Sequence, residues 1–130
     1  MTIKVSIDAS GGDFGFPVTV KAGINALNIY QDLHLHFVGD EKCIQNELNK
    51  LSIYNSFLDR ISITHASEVI DMGDSPSTAL RHKKDSSMRV AINLIENGTV
   101  DACVSAGNTG ALMSIARFIL KTIDGVDRPA

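Results

Sequence analysis

The stretch Asp101-Ala102-Cys103-Val104-Ser105-Ala106-Gly107-Asn108-Thr109-Gly110-Ala111 puts a short apolar run directly before a helical pattern, with small and polar residues between them. A buried parallel strand that feeds a helix through a tight turn has this form. Such a turn leaves backbone N–H groups unbonded at the helix N-terminus, where phosphate or another anion is favoured. A small-molecule site in this chain is expected to include this turn. The alternative is a plain strand–helix turn capped by Asn108 or Thr109.

The same alternation recurs outward from it. Ile3–Ala9 is a β-branched apolar strand and Ser10–Phe16 a glycine-rich loop. Pro17 then suits a first helical turn, with Val20, Ile24 and Leu27 at helical spacing behind it. Leu33–Val38 is a second strand, Glu41–Leu51 a helix and Arg60–Thr64 a third strand. Ala66–Ser77 is mostly loop, and Ser87–Glu96 is a helix ended by Asn97-Gly98. Ala102–Ser105 is the fourth strand. In the helix Thr109–Ile123 that follows, Leu112, Ile115, Ala116, Ile119, Leu120 and Ile123 form one broad apolar face. This alternation predicts an α/β fold with a mostly parallel sheet. Right-handed crossovers then gather the loops after strands one, three and four on one sheet edge, where open α/β sheets bind ligands.

The 130 residues suffice for one domain with a real core. Lys plus Arg number 12 against 15 Asp plus Glu, a net charge of −3 that argues against general nucleic-acid binding. Cys43 and Cys103 lie far apart with no C-x-x-C spacing, and read as reduced, partly buried thiols of a cytosolic protein. His34 and His36 share one face of strand two without a third ligand nearby, so packing or hydrogen bonding is expected of them. Neither a metal nor a cofactor is expected. Met1–Val5 reads as a strand rather than a signal peptide, and no apolar run is long enough to span a bilayer. The closing turn Asp124–Ala130 should lead into a further element, so a fragment of a longer protein is expected.

Two further segments could carry chemistry. In Asp8-Ala9-Ser10-Gly11-Gly12-Asp13-Phe14-Gly15 the paired glycines permit close backbone approach to a ligand, or else serve a tight turn. The G-x-G-x-x-G dinucleotide spacing is absent. In Met72–Met88, Arg81, Lys83 and Lys84 concentrate positive charge, and Ser86 or Ser87 caps the next helix. Cations beside a helix N-terminus suit a phosphate, although such clusters also occur as solvated helix ends. Ser105 lies in no G-x-S-x-G elbow, and His65 and His82 pair with no nucleophile.

Four stretches together carry a resemblance. They are Asp8-x-x-Gly11-Gly12-Asp13, the run from Met72 through Asp74, Pro76, Ala79, Arg81 and Lys84 to Ser86-Ser87-Met88, the stretch Asp101–Ala111, and Arg128-Pro129-Ala130. In this order they resemble the N-terminal part of the bacterial phosphate acyltransferases of the PlsX type. The first loop departs from the family pattern: Ser10 stands where Met is common, and the loop proline is delayed to Pro17.

The resemblance implies a three-layer α/β/α fold of the isocitrate dehydrogenase and phosphotransacetylase type, in a chain longer than this one. It implies transfer of a long-chain acyl group from acyl carrier protein to inorganic phosphate, giving acyl-phosphate for phospholipid synthesis. It also implies a cytoplasmic homodimer able to sit on the inner membrane surface. Given that reaction, Lys84 and Asn108 are the expected catalytic residues. Arg81 and Lys84 would hold phosphate, and Ser86 and Ser87 would complete its pocket. Asn108, with the N–H groups of Thr109 and Gly110 beyond Gly107, would face phosphate or the oxyanion. Asp8 and Asp13 would orient the cations or a water beside Gly11 and Gly12. Phosphate is expected to attack directly, because a strand-buried Cys103 thiol is poorly suited to carry an acyl group. The rival expectations are a related dehydrogenase-like α/β enzyme, and an inactive fragment with an exposed sheet edge.

Overall fold

The computed structural model describes residues 1–128, so the end of the Arg128-Pro129-Ala130 motif lies outside the described residues. The elements are β1 (Ile3–Asp8), α1 (Phe16–Ile29), β2 (Leu33–Gly39), α2 (Glu41–Asn49), β3 (Ile61–His65), α3 (Pro76–His82), α4 (Ser87–Glu96), β4 (Ala102–Val104) and α5 (Thr109–Leu120). All strand pairings are parallel, in the order β3-β2-β1-β4. Val5 faces Leu35 on one side and Ala102 on the other, and Ile7 likewise faces Phe37 and Val104.

Strand alternation explains the layers. Val5 and Ile7 of β1, with Leu35 and Phe37 of β2, pack beneath Val20, Ile24 and Leu27 of α1 and Ile44 and Leu48 of α2. The other face of β1 turns to α4: the Ser6 hydroxyl donates to the Ala91 carbonyl at 2.9 Å. On that face Val38 packs against Ala91, while Met88 and Ile92 of α4 join Ala111 and Ile115 of α5. Helices thus cover both faces of the sheet, and the fold is a three-layer α/β/α arrangement. His34 and His36 lie on the α4 face at alternate positions of β2. Partial burial, then Lys4 and His34, push the His36 imidazole below its ordinary range.

Three elements differ from the sequence reading. The 3₁₀ segment Ser52–Arg60 and the helix α3 occupy stretches without apolar periodicity. Each buries little, Phe57 in one and Ala79 in the other. The Ser75-Pro76 start of α3 was a legible cap: the Ser75 side chain accepts from the Thr78 N–H. The last helix ends at Leu120 rather than Ile123, because Lys121 turns to φ 66°. Burial of its apolar side stops at Ile119, and Ile123 is 78% exposed. Among long-range supports, Arg60 donates to the carbonyls of Leu33, Leu27 and Tyr30, closing the C-terminus of α1.

Gly23 sits in the middle of α1 against the sheet. A Cβ there would lie 2.6 Å from the ring of Phe37, which is fully buried. Gly23→Ala should therefore destabilise the fold, by up to about 2 kcal/mol. Overpacking costs roughly 1–3 kcal/mol, which exceeds the helix-propensity gain of about 1 kcal/mol. Chemical denaturation checks this, and a stabilised variant would contradict the packing.

Candidate functional site

The strand order reverses direction between β1 and β4. The chain winds outward from β1 to β3, then crosses back to the other side of β1. At such a point the loops leaving two neighbouring strands part, and a crevice opens at the carboxyl edge. Asp8, the last residue of β1, lies there and is 2% exposed. Ser87, in the first turn of α4, donates to Asp8 Oδ1 at 2.5 Å. Ser105, just after β4, donates to Oδ2 at 2.7 Å and accepts from the Gly107 N–H at 3.1 Å.

Glycine is required where these turns meet. A Cβ on Gly11 would fall 2.8 Å from Asp8 Oδ2 and 3.1 Å from the Gly107 nitrogen. Gly12 has φ 89° and lies against Ala106. The structure therefore brings together Asp8, Gly11, Gly12, Ser87 and Gly107, with Ser105 as a member not singled out from the sequence. Its position directly after an apolar run was the available signal. Ser10, where the family pattern differs, has the one buried side-chain oxygen without a partner among the described residues, lying against Gly39.

The hydrogen bonds bear on several sequence expectations. The Ser87 hydroxyl donates to Asp8 in this structure. Ser86 is fully buried, and its oxygen caps α4 by accepting from the Arg89 N–H at 3.1 Å. Asn108 does not present its amide to open space. Its Oδ1 caps α5 through the Ala111 N–H at 3.1 Å, and its Nδ2 donates to the carbonyls of Asp71, Met72 and Asp74 at 3.2, 3.3 and 2.8 Å. What remains available at the start of α5 is backbone. The N–H groups of exposed Thr109 and Gly110 make no hydrogen bond among the described residues.

The cationic cluster splits. Lys83 is engaged inward, donating to Asp74 at 2.5 Å, to the Val69 carbonyl at 2.8 Å and to Asp71 at 3.3 Å. That bond to Lys83, then the Asp71 N–H, holds the Asp74 carboxyl below its ordinary range. The same pairing, Asp74 first, raises Lys83. Arg81 and Lys84 are exposed and form no ion pair among the described residues. Asp13 is exposed as well, without a side-chain hydrogen bond there, and the structure does not join it to Asp8.

Burial pushes the Cys103 thiol up, with the Ser6 hydroxyl opposing and Asp8 adding to the rise. Cys43 is exposed rather than partly buried, because it lies on the outer side of α2. Among the described residues no group of three or more His, Cys, Asp or Glu is placed to hold a metal. No helix among them is long and apolar enough to cross a membrane. On the α1 side an apolar groove of about 560 Å³ runs from Asp8 and Ala106 along β1 to Tyr30, and Val104 on its β4 flank is 58% exposed.

The fold defines an open, doubly wound parallel α/β protein, and the polar cluster and unbonded helix N–H groups lie at the switch point where such sheets bind ligands. The family model described as "Fatty acid synthesis protein" matches residues 3–130, and the chain belongs to that family. It is 67% identical to the phosphate acyltransferase of Ruthia magnifica subsp. Calyptogena magnifica, and 65% identical to that of Vesicomyosocius okutanii, over 130 residues in each case. Identity to the phosphate acyltransferase of Francisella philomiragia is 54% over 134 positions. In each comparison all of this chain is matched, and it spans 38% of the relative's length.

Two outcomes follow from the Asn108 and Lys83 bonds. Asn108→Asp keeps the α5 cap but loses the amide donors. It should speed hydrogen exchange across Asp71–Asp74 and cost roughly 1–3 kcal/mol in chemical denaturation. The Asp74–Lys83 pair should weaken in acid. Asp74 is depressed in the folded chain, so its contribution is present above the ordinary value of 3.8 and is lost as pH falls through the lower folded value. An NMR pH titration should show the Asp74 carboxyl and its loop resonances titrating below pH 3.8 in the parent, and at higher pH in Lys83→Met.

Proposed function

We propose that this chain forms the phosphate-binding part of a phosphate acyltransferase that moves a fatty acyl group from acyl carrier protein to inorganic phosphate. The observation that carries the reading is the pair of unbonded N–H groups, Thr109 and Gly110, opening a 12-residue helix at the switch point. The relatives' shared name, phosphate acyltransferase, supplies the reaction class. In this reading a phosphate oxygen attacks the thioester carbonyl carbon. A C–O bond forms, the carbonyl becomes a tetrahedral oxyanion, and the C–S bond then breaks. Acyl-phosphate and the carrier thiolate result, and the thiolate takes a proton from solvent.

Two anions meet in this step, so the site needs oriented donors and cations. Thr109 and Gly110 supply the donors. Arg81 and Lys84, exposed and without an ion pair among the described residues, are the cations we assign to phosphate, with Lys84 closest to the reaction. Lys83 is excluded by its inward bonds. Asn108 acts by holding the Asp71–Asp74 loop to the start of α5. Ser86 and Ser87 act by fixing the start of α4, and Asp8 by anchoring Ser87; Asp13 orients a cation. The full-length protein in this proposal is a cytoplasmic homodimer that works at the inner membrane surface.

The test joins residues 1–130 to the remainder of a full-length relative and measures acyl-phosphate formed from acyl carrier protein thioester and phosphate. Lys84→Ala and Arg81→Ala should each raise the phosphate KM by about tenfold, the loss expected for one charge-assisted hydrogen bond, with a smaller effect on kcat. A double variant with the parent's phosphate KM would reject the assignment of the cations. Failure of the parent protein to form any acyl-phosphate would reject the reaction.

A further inference from the structure

We propose that Ser105 is a positioning residue: its hydroxyl locks the Gly107 turn onto the buried carboxylate of Asp8 and so aims the Thr109 and Gly110 N–H groups at phosphate. This inference rests on the phosphate reading above and assigns a role to a residue which that reading does not use.

A serine hydroxyl has one hydrogen and two lone pairs. Here the hydrogen goes to Asp8 Oδ2 at 2.7 Å, and a lone pair takes the Gly107 N–H at 3.1 Å. Direction along this relay is fixed, because a carboxylate only accepts and an amide N–H only donates. Asp8 is itself held by a second bond, from Ser87 at 2.5 Å. The relay therefore ties the start of α4, the end of β1 and the turn after β4 into one unit. Its last member, Gly107, directly precedes Asn108, the N-cap of α5. The turn has little room to settle elsewhere. A Cβ on Gly107 would lie 3.0 Å from the Met88 side chain and 3.2 Å from Ser105 Oγ.

Ser6 provides the contrast. Its hydroxyl is fully buried and donates to the Ala91 carbonyl, joining β1 to α4 without touching the turn. Loss of the Ser6 hydroxyl should weaken the fold and leave the anion seat as it is. Loss of the Ser105 hydroxyl should loosen the seat itself.

The experiment uses the full-length protein of the preceding test, residues 1–130 joined to the remainder of a relative, with inorganic phosphate and amide NMR. In the unsubstituted chain phosphate should shift the Thr109 and Gly110 resonances. In Ser105→Ala, hydrogen exchange at Gly107 should speed by about tenfold and the apparent phosphate Kd should rise by about tenfold. Ser105→Thr, which keeps the hydroxyl, should restore both. Ser6→Ala should lower the unfolding midpoint without moving either. If Ser105→Ala does not fold, Ser105→Cys carries the same readout, since a thiol is a weak donor and acceptor. Phosphate-dependent shifts in the parent, with unchanged Gly107 exchange and phosphate Kd in the variant, overturn the role of Ser105 alone. No phosphate response in the parent overturns the phosphate reading, and this proposal with it.

Discussion

A carboxylate enclosed at the end of a parallel strand has to be met by donors, and most of this site follows from how Asp8 meets that demand. Leaving such a group unpaired in the interior would cost several kcal/mol. No lysine, arginine or histidine pairs with it among the described residues, so hydroxyl groups do the work. Ser87 has to sit in the first turn of α4 to reach one oxygen, and Ser105 immediately after β4 to reach the other. The crossover from β3 through α4 to β4 is thereby drawn to β1 at its carboxyl end. The same demand explains Gly11: any side chain there would collide with the carboxylate or with the Gly107 nitrogen. One buried acid thus sets the approach of three chain segments.

This arrangement sorts the polar groups into those the fold consumes and those it leaves free. Ser86, Ser87, Ser105, Asn108 and Lys83 all close bonds inside the protein. Thr109 and Gly110 keep unbonded N–H groups because a helix always leaves its first donors without intrahelical partners. Arg81 and Lys84 stay exposed on either side of the engaged Lys83. Adjacent cations of the same type therefore have opposite fates, decided by the carboxylates of Asp74 and Asp71.

Much of this was legible in the sequence, for identifiable reasons. Strands such as Leu33–Gly39 and helices such as Ser87–Glu96 bury whole apolar stripes, and periodicity registers buried stripes. The parallel sheet followed from the alternation. The short helix Pro76–His82 and the 3₁₀ segment Ser52–Arg60 escaped notice because each buries a single residue. At the site, glycine spacing and cap residues placed the turns, since backbone geometry constrains those residue types locally. The direction of each hydroxyl and amide was not legible. Whether Asn108 faces a ligand or the Asp71–Asp74 carbonyls depends on contacts 34 to 37 residues away in the chain. The split between Lys83 and Lys84 depends on the fold of the preceding loop in the same way.

Backbone donors suit an anion seat that must also tolerate a second anion. An N–H fixed at a helix start carries partial positive charge without a counter-charge to neutralise, and in the proposed reaction it would not have to reorganise as negative charge shifts from phosphate to the thioester oxygen. A seat built from serine hydroxyls beside Asp8 would fail in that role, because their hydrogens already point at the carboxylate. Both oxygens of the buried acid are taken by the Ser87 and Ser105 hydroxyls. In this geometry the polarity of the site is directional: acceptor character is held beneath the turn, and donor character is left at the open end of α5.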